Sequence, residues 1–345
     1  LDHVSIGHGV SLLCGRSGGA NTPTIRRLHP VSPSPTSAHS SFYPEDDSDR
    51  GWHVAHFCLF MVAIDHNTHS GEVRYEGIVD GTFYHGSDLL YRLAQNAKEK
   101  DRRLFTPEFM KEIDAAMVSR IFRTEGGVEP TDISGRTKIF QATARELLTL
   151  YDGDFLKLLA LCGNRISGKD GFLERVSGLS AYSDPVAKKA NLVCKLLFRD
   201  GLFEALDRDE IEIAVDHVVM TMGLRSGAIT CEDPRILHQL HNGIKIDEYV
   251  LQKLRELTKS VYRSVSEFAQ LHPDEVDDLI WSYGRKALRQ PTPLPNGDVV
   301  ESELDERVEY LAKIKFIEFM NGIDSEGSET WASIQTVQVP FTRFF

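Results

Sequence analysis

From Trp52 onward, apolar residues recur three and four positions apart, the spacing that gathers them on one face of a helix. "SDLLYRLAQNAKEK" sets Leu89, Leu90, Leu93 and Ala97 on one face, with Ser87 expected as N-cap. "TPEFMKEIDAAMVSRIF" opens on Thr106 and Pro107, a cap followed by a first-turn proline, and is expected as one helix. "RTKIFQATARELLTLYDGDFLKLLALC" predicts a helix, a break at "DGD" and a second helix. "DPVAKKANLVCKLLFRDGLF", "DEYVLQKLRELTKSVYRSVSEFAQL", "EVDDLIWSYGRKAL" and "ELDERVEYLAKIKFIEFMNGI" are amphipathic in the same way. Strand signals are sparse. "GEVRYEGIVDGTFYHG" alternates around Asp80-Gly81 and predicts a hairpin, and "SIQTVQVPF" reads as extended. The expected fold class is mainly α with minor β elements.

Within "LERVSGLSAYSDPVAKKANLVCKLLF" a helix ends near Arg175, a Gly- and Ser-containing turn follows, and a second helix opens at Asp184-Pro185. This is a helix, a hairpin and a helix. Residues 15–50 are rich in Ser, Pro, Gly and His and too poor in apolar residues to offset the entropy of ordering. The predicted organisation is a flexible arm over 1–51 and one helical domain over 52–345. A variant of it has two subdomains flanking a central cleft, with the hairpin and catalytic Asp in 172–230.

Charge narrows the partners. Thirty-nine Lys and Arg against 51 Asp and Glu give a formal net charge of -12. A broad, sequence-independent grip on a polyanion rests on phosphate neutralisation and does not fit that balance, although a local basic groove does. The longest strongly apolar run near the front, Phe57–Ile64, has eight residues and is too short to span a bilayer, so no membrane partner is expected. Five scattered cysteines without a C-x-x-C suggest neither a disulfide framework nor a zinc knuckle. They fit a reducing, cytoplasmic setting.

Two short segments carry candidate chemistry. "VAIDHNTH" and "IAVDHVVM" each put an Asp-His pair, Asp65-His66 and Asp216-His217, directly after an apolar run. A carboxylate at the edge of apolar structure is costly unless it is paired or used. Asp216 also reads as a plain N-cap of the helix it opens. His53, His56, Cys58, His66 and His69 invite a zinc reading. If Phe57–Ile64 is part of one helix, however, the two groups sit at its opposite ends, too far apart for one ion. Neither a metal nor a cofactor is therefore expected. No Cys follows Cys231, so the late "W-x-x-G-R" segment has no iron-sulfur ligands after it.

The order of hairpin, Lys-bearing helix and "VDHV" resembles the helix-hairpin-helix DNA glycosylase superfamily. A second ordered series, "MVAID", "HGSDLLYRLAQNAKEK", "TPEFMKEIDAAMVSRIF", "ARELLTLYDGDFLKLL", "KKANLVCKLLF" and "AVDH", resembles the queuosine salvage-type nucleotide N-glycosidases from about residue 55 to about residue 285. The resemblance implies a glycosylase-like helical fold. It also implies hydrolysis of the base-sugar bond in modified DNA or in a modified nucleoside or nucleotide. In that reading Asp216 is the catalytic carboxylate and Lys188 or Lys189 supports the site or forms a Schiff base. Asp65, His66, Tyr84, His85, His217, Trp281 and Arg285 line the substrate pocket. Three readings stay open: a glycosylase acting on DNA, a salvage-type nucleotide N-ribohydrolase with no DNA role, and a catalytically silent helical binding protein. The last is favoured by Cys194, Lys195 and Leu196, which stand where the salvage family carries an acidic residue.

Overall fold

The computed structural model describes residues 2–6, 10–14, 49–68, 73–288, 334 and 337–338. The fold is mainly helical with minor β elements, as the periodicity predicts. The chain packs as two compact units. The larger runs to Ala214, and its described part starts at Asp49. The smaller joins the N-terminal strands to the chain from Val215 onward. Among the described residues no helix is long and apolar enough to cross a membrane.

The larger unit is built around α1 (Arg50–Ile64), whose residues from Val54 to Ile64 are all buried. A helix apolar on every side has to be surrounded. Here α5 (Ile133–Tyr151), α6 (Phe155–Leu161) and α8 (Lys188–Arg199) pack around it. Each fully buried Leu, Ile, Met or Phe in α1 contributes about 1.5–3 kcal/mol. Phe57, Phe60, Phe105, Phe122 and Phe140 meet mostly edge-to-face at ring separations of 5.0–6.4 Å. His56 is structural. Its Nδ1–H donates to the Trp52 carbonyl at 2.7 Å, its Nε2 accepts the Phe155 N–H at 3.2 Å, and its ring stacks on Trp52.

The rest of the larger unit follows local rules. A hairpin pairs β3 (Glu76–Val79) with β4 (Thr82–His85), Val79 opposite Thr82 and Glu76 opposite His85. Asp80 and Gly81 both have positive φ, as the predicted tight turn requires. In α2 (Ser87–Lys100) the N-cap is Gly86 rather than Ser87, which is the first helical residue. The single helix expected over 106–122 is two, α3 (Pro107–Met110) and α4 (Ala115–Phe122). The Asp114 carboxylate accepts the Met117 N–H and starts the second afresh. The "DGD" break is as predicted: Asp152 and Gly153 take positive φ, and Asp154 caps α6 through the Leu156 N–H.

The segment read as a helical hairpin contains α7 (Phe172–Ser177), a 3-10 turn over Ser180–Tyr182, and α8. The second helix starts at Lys188, later than Asp184-Pro185. Ala187, with φ 55°, stands outside the right-handed helix, and the Asp184 carboxylate takes the Lys188 N–H at 3.0 Å.

The smaller unit holds an antiparallel sheet in the order β1 (Asp2–Ile6), β2 (Val10–Cys14), β5 (Ile229–Cys231). Residues 2–6 and 10–14, which the sequence reading placed in the arm, therefore form two of its strands. The helices are α9 (His217–Arg225), α10 (Pro234–His241), α11 (Glu248–Ala269) and α12 (Pro273–Leu288), with α9 packed against α11 and α12. The helix expected over 303–323, nearly all of the Ser- and Pro-rich 15–50 stretch, and most of "SIQTVQVPF" lie outside the described residues.

Candidate functional site

The two Asp-His pairs occupy opposite ends of helices and belong to different units. Asp65 is the C-cap of α1, where the helix dipole disfavours a negative charge. Asp216 is the N-cap of α9, where the dipole favours one.

The larger unit counters the field at Asp65 with buried cations. Arg136, on α5, has no solvent exposure. Its guanidinium donates to the carbonyls of Thr131 at 2.8 Å, Asn67 at 2.7 Å and His66 at 3.3 Å, and to that of Ile64. Lys189 is equally buried and its Nζ donates to the Ala63 carbonyl at 2.5 Å. Together they satisfy the carbonyls that a helix C-terminus leaves without intrahelical donors. Burial lowers the Arg136 pKa to about 10, against the opposing attraction of Asp65 and Tyr75. Burial, reinforced by Lys188, lowers the Lys189 pKa well below its ordinary value, while Asp65 pulls the other way. His66 is held neutral, first by burial and then by Arg136, Lys189 and Lys188.

Asp65, His66, Lys188 and Lys189, taken from sequence segments more than a hundred residues apart, are thus brought into one electrostatic cluster. Sequence reasoning missed two members, Arg136 and Asp184. In "ISGRTKIF" nothing marks Arg136 as buried, and three of its four carbonyl partners come from a segment 69 to 72 residues upstream. The arrangement sets the Asp65 carboxylate at the edge of the core in the field of an amine of lowered basicity. Lys189 has no exposure through which to reach a sugar, so in this conformation its amine orients the end of α1.

In the smaller unit Asp216 is 9% exposed. Its Oδ1 accepts the Val219 N–H at 2.8 Å and its Oδ2 accepts the Trp281 indole N–H at 3.0 Å. A carboxylate oxygen carries two lone pairs, so each oxygen retains acceptor capacity after these bonds. His217 is exposed on the first turn of α9, and Trp281 is half-buried on α12. Arg285 lies on the same helix, its side chain outside the described residues. Tyr84 and His85 are half-buried neighbours on β4, so their side chains leave opposite faces of the hairpin. A surface cavity of about 620 Å³ lined by Asp233, Arg235, His238, Gln239 and Asp247 includes none of the candidate residues.

His53 and His56 sit in the first half of α1, and His66 lies beyond its end. From His56 to His66 is ten residues, about 15 Å at helical rise. Among the described residues no three His, Cys, Asp or Glu are grouped as metal ligands. Neither a family model nor a curated protein matches the sequence.

Proposed function

We propose that the chain is an N-glycosidase that hydrolyses the base-sugar bond of a modified base, in DNA or in a free nucleoside or nucleotide, with Asp216 as the catalytic carboxylate. The supporting observation is the pair of N–H donors on Asp216, one from the start of α9 and one from Trp281. They hold the carboxylate in a fixed orientation, which is what a group meant to stabilise an oxocarbenium-like sugar requires. The bond from C1′ to the base nitrogen breaks and its electron pair leaves with the base. Water adds to C1′, and its proton passes to the carboxylate and then, through solvent, to the nitrogen of the departed base.

The test is base release from duplexes carrying modified bases and from a panel of modified nucleosides and nucleotides. Asp216→Asn should lower release by at least about a hundredfold, the loss typical of one preorganised electrostatic contact. The fold should survive with a loss of no more than about 1–2 kcal/mol, because the amide oxygen still accepts the Val219 N–H while the Trp281 N–H loses its acceptor. An Asp216→Asn protein that releases base at the parent rate would make Asp216 a helix cap alone. Release from nucleotides but not from DNA would select the salvage-type reading. No release from any substrate by the parent would favour the silent binding protein, which the capping role of Asp216 also supports.

A further inference from the structure

We infer that Trp281 is a positioning residue, which acts through its indole N–H to fix the plane of the Asp216 carboxylate, and that Gly284 sets the helix approach that lets it do so. The inference rests on the reading of Asp216 as the reacting carboxylate.

The α9 cap bond fixes only Oδ1. The terminal torsion of an Asp side chain is broad, so one anchored oxygen leaves the carboxylate plane loosely defined. The Trp281 N–H at 3.0 Å anchors Oδ2, and two donors on two oxygens define the plane. That plane decides where the remaining lone pairs point, and so where a developing positive charge or an attacking water meets them.

The reach of Trp281 depends on how closely α12 lies against α9. Gly284 is three residues after Trp281, close to one turn along the same face. A Cβ on Gly284 would lie 2.7 Å from both Val218 Cγ1 and Met222 Cγ, on two successive turns of α9. Real Cβ atoms do not approach so closely, so any larger residue here would displace the Val218 and Met222 side chains or the helix that carries them. Trp281 therefore acts on the site through its N–H, where the sequence reading had it lining the substrate pocket.

Three kinetic variants test this on the full chain, with the best substrate from the base-release panel. Trp281→Phe keeps an aromatic ring and removes the donor. Benzothienylalanine at position 281 is closer still in shape and also lacks the N–H, which guards against a Phe variant that folds poorly. Gly284→Ala leaves the indole intact and crowds Val218 and Met222 at the contact between the two helices. Each should lower kcat by about 10- to 100-fold, the scale of one hydrogen bond to a charged group, with KM within about twofold of the parent. A raised KM with unchanged kcat would overturn the inference and return Trp281 to the substrate face. Unchanged kcat and KM would overturn it too and leave the N–H as a packing detail.

An activity-independent readout separates this failure from failure of the glycosidase reading. The Trp281 indole proton, followed by nuclear magnetic resonance, should exchange at least about tenfold faster in Asp216→Ala than in the parent. Equal exchange would refute the anchoring bond whether or not base is released. Slow exchange in a parent that releases no base would sink the glycosidase reading, and the positioning role with it, while leaving the bond itself in place.

Discussion

Replacing Arg136 by Met tests whether the end of α1 depends on its buried cation. Met has similar length and fits an apolar site, so the change isolates charge and hydrogen bonding. The variant loses bonds to the carbonyls of Ile64, Asn67 and Thr131, with a weaker fourth to His66. Asn67 keeps the Thr131 hydroxyl as a donor at 2.6 Å. Three charge-assisted bonds at about 1.5–3 kcal/mol each come to about 4.5–9 kcal/mol. Against that, removing the charge recovers its desolvation. The fall in pKa from 12.5 to about 10 corresponds to about 3 kcal/mol. The balance is a loss of about 2–6 kcal/mol.

Urea unfolding at pH 7, followed by hydrogen exchange of the amides at the end of α1, measures it. The second probe matters because a chain of two units need not unfold in one step. Arg136→Lys keeps the charge with a single donor group and should fall between parent and Met. Loss of the cation should also raise the His66 pKa, since Arg136 is the largest charge holding it down after burial itself. A Met variant within about 1 kcal/mol of the parent, with His66 titrating as before, would refute the assignment.

Asp200, at the end of α8, has its pKa pushed up to about 6 by burial, against the lowering effects of the Cys58 thiol and of Arg199 and Arg50. The folded state then holds the proton to higher pH than the unfolded chain, so its contribution is full below about pH 4 and lost as pH rises through 6. Asp200→Asn should stabilise at pH 7.5 by about 1–2 kcal/mol, discounted for partial exposure, and change little at pH 4. Equal melting shifts at both pH values would contradict this. Ala187 is a non-glycine residue in left-handed conformation just before Lys188. Ala187→Gly should therefore raise stability by about 0.5–1 kcal/mol in thermal melts, and a loss would show that the Ala methyl packs usefully.

The helical content was legible because amphipathic spacing and turn residues act locally. The "DGD" break and the Asp80-Gly81 turn needed only a few neighbouring residues. The split at Asp114 and the late start of α8 were not legible, since each depends on which of several caps wins. At the candidate sites, the capping role of Asp216 could be read from its position ahead of an apolar helix. Its bond to Trp281 joins residues 65 apart and left no local mark. Arg136 was hidden for the same reason, because an Arg in a helix reads as exposed until its distant carbonyls are known.

The all-round burial of α1 also has a consequence for how the chain is made. "FCLFMVAI" carries no charge and no proline, and it emerges from the ribosome before any of α5, α6 and α8. The first of these begins 69 residues later, at Ile133, several seconds at typical rates of synthesis. During that interval the segment has the composition that favours strand stacking over helix formation. The same eight residues that form the centre of the finished unit are therefore an aggregation hazard until α5, α6 and α8 have been made to cover them.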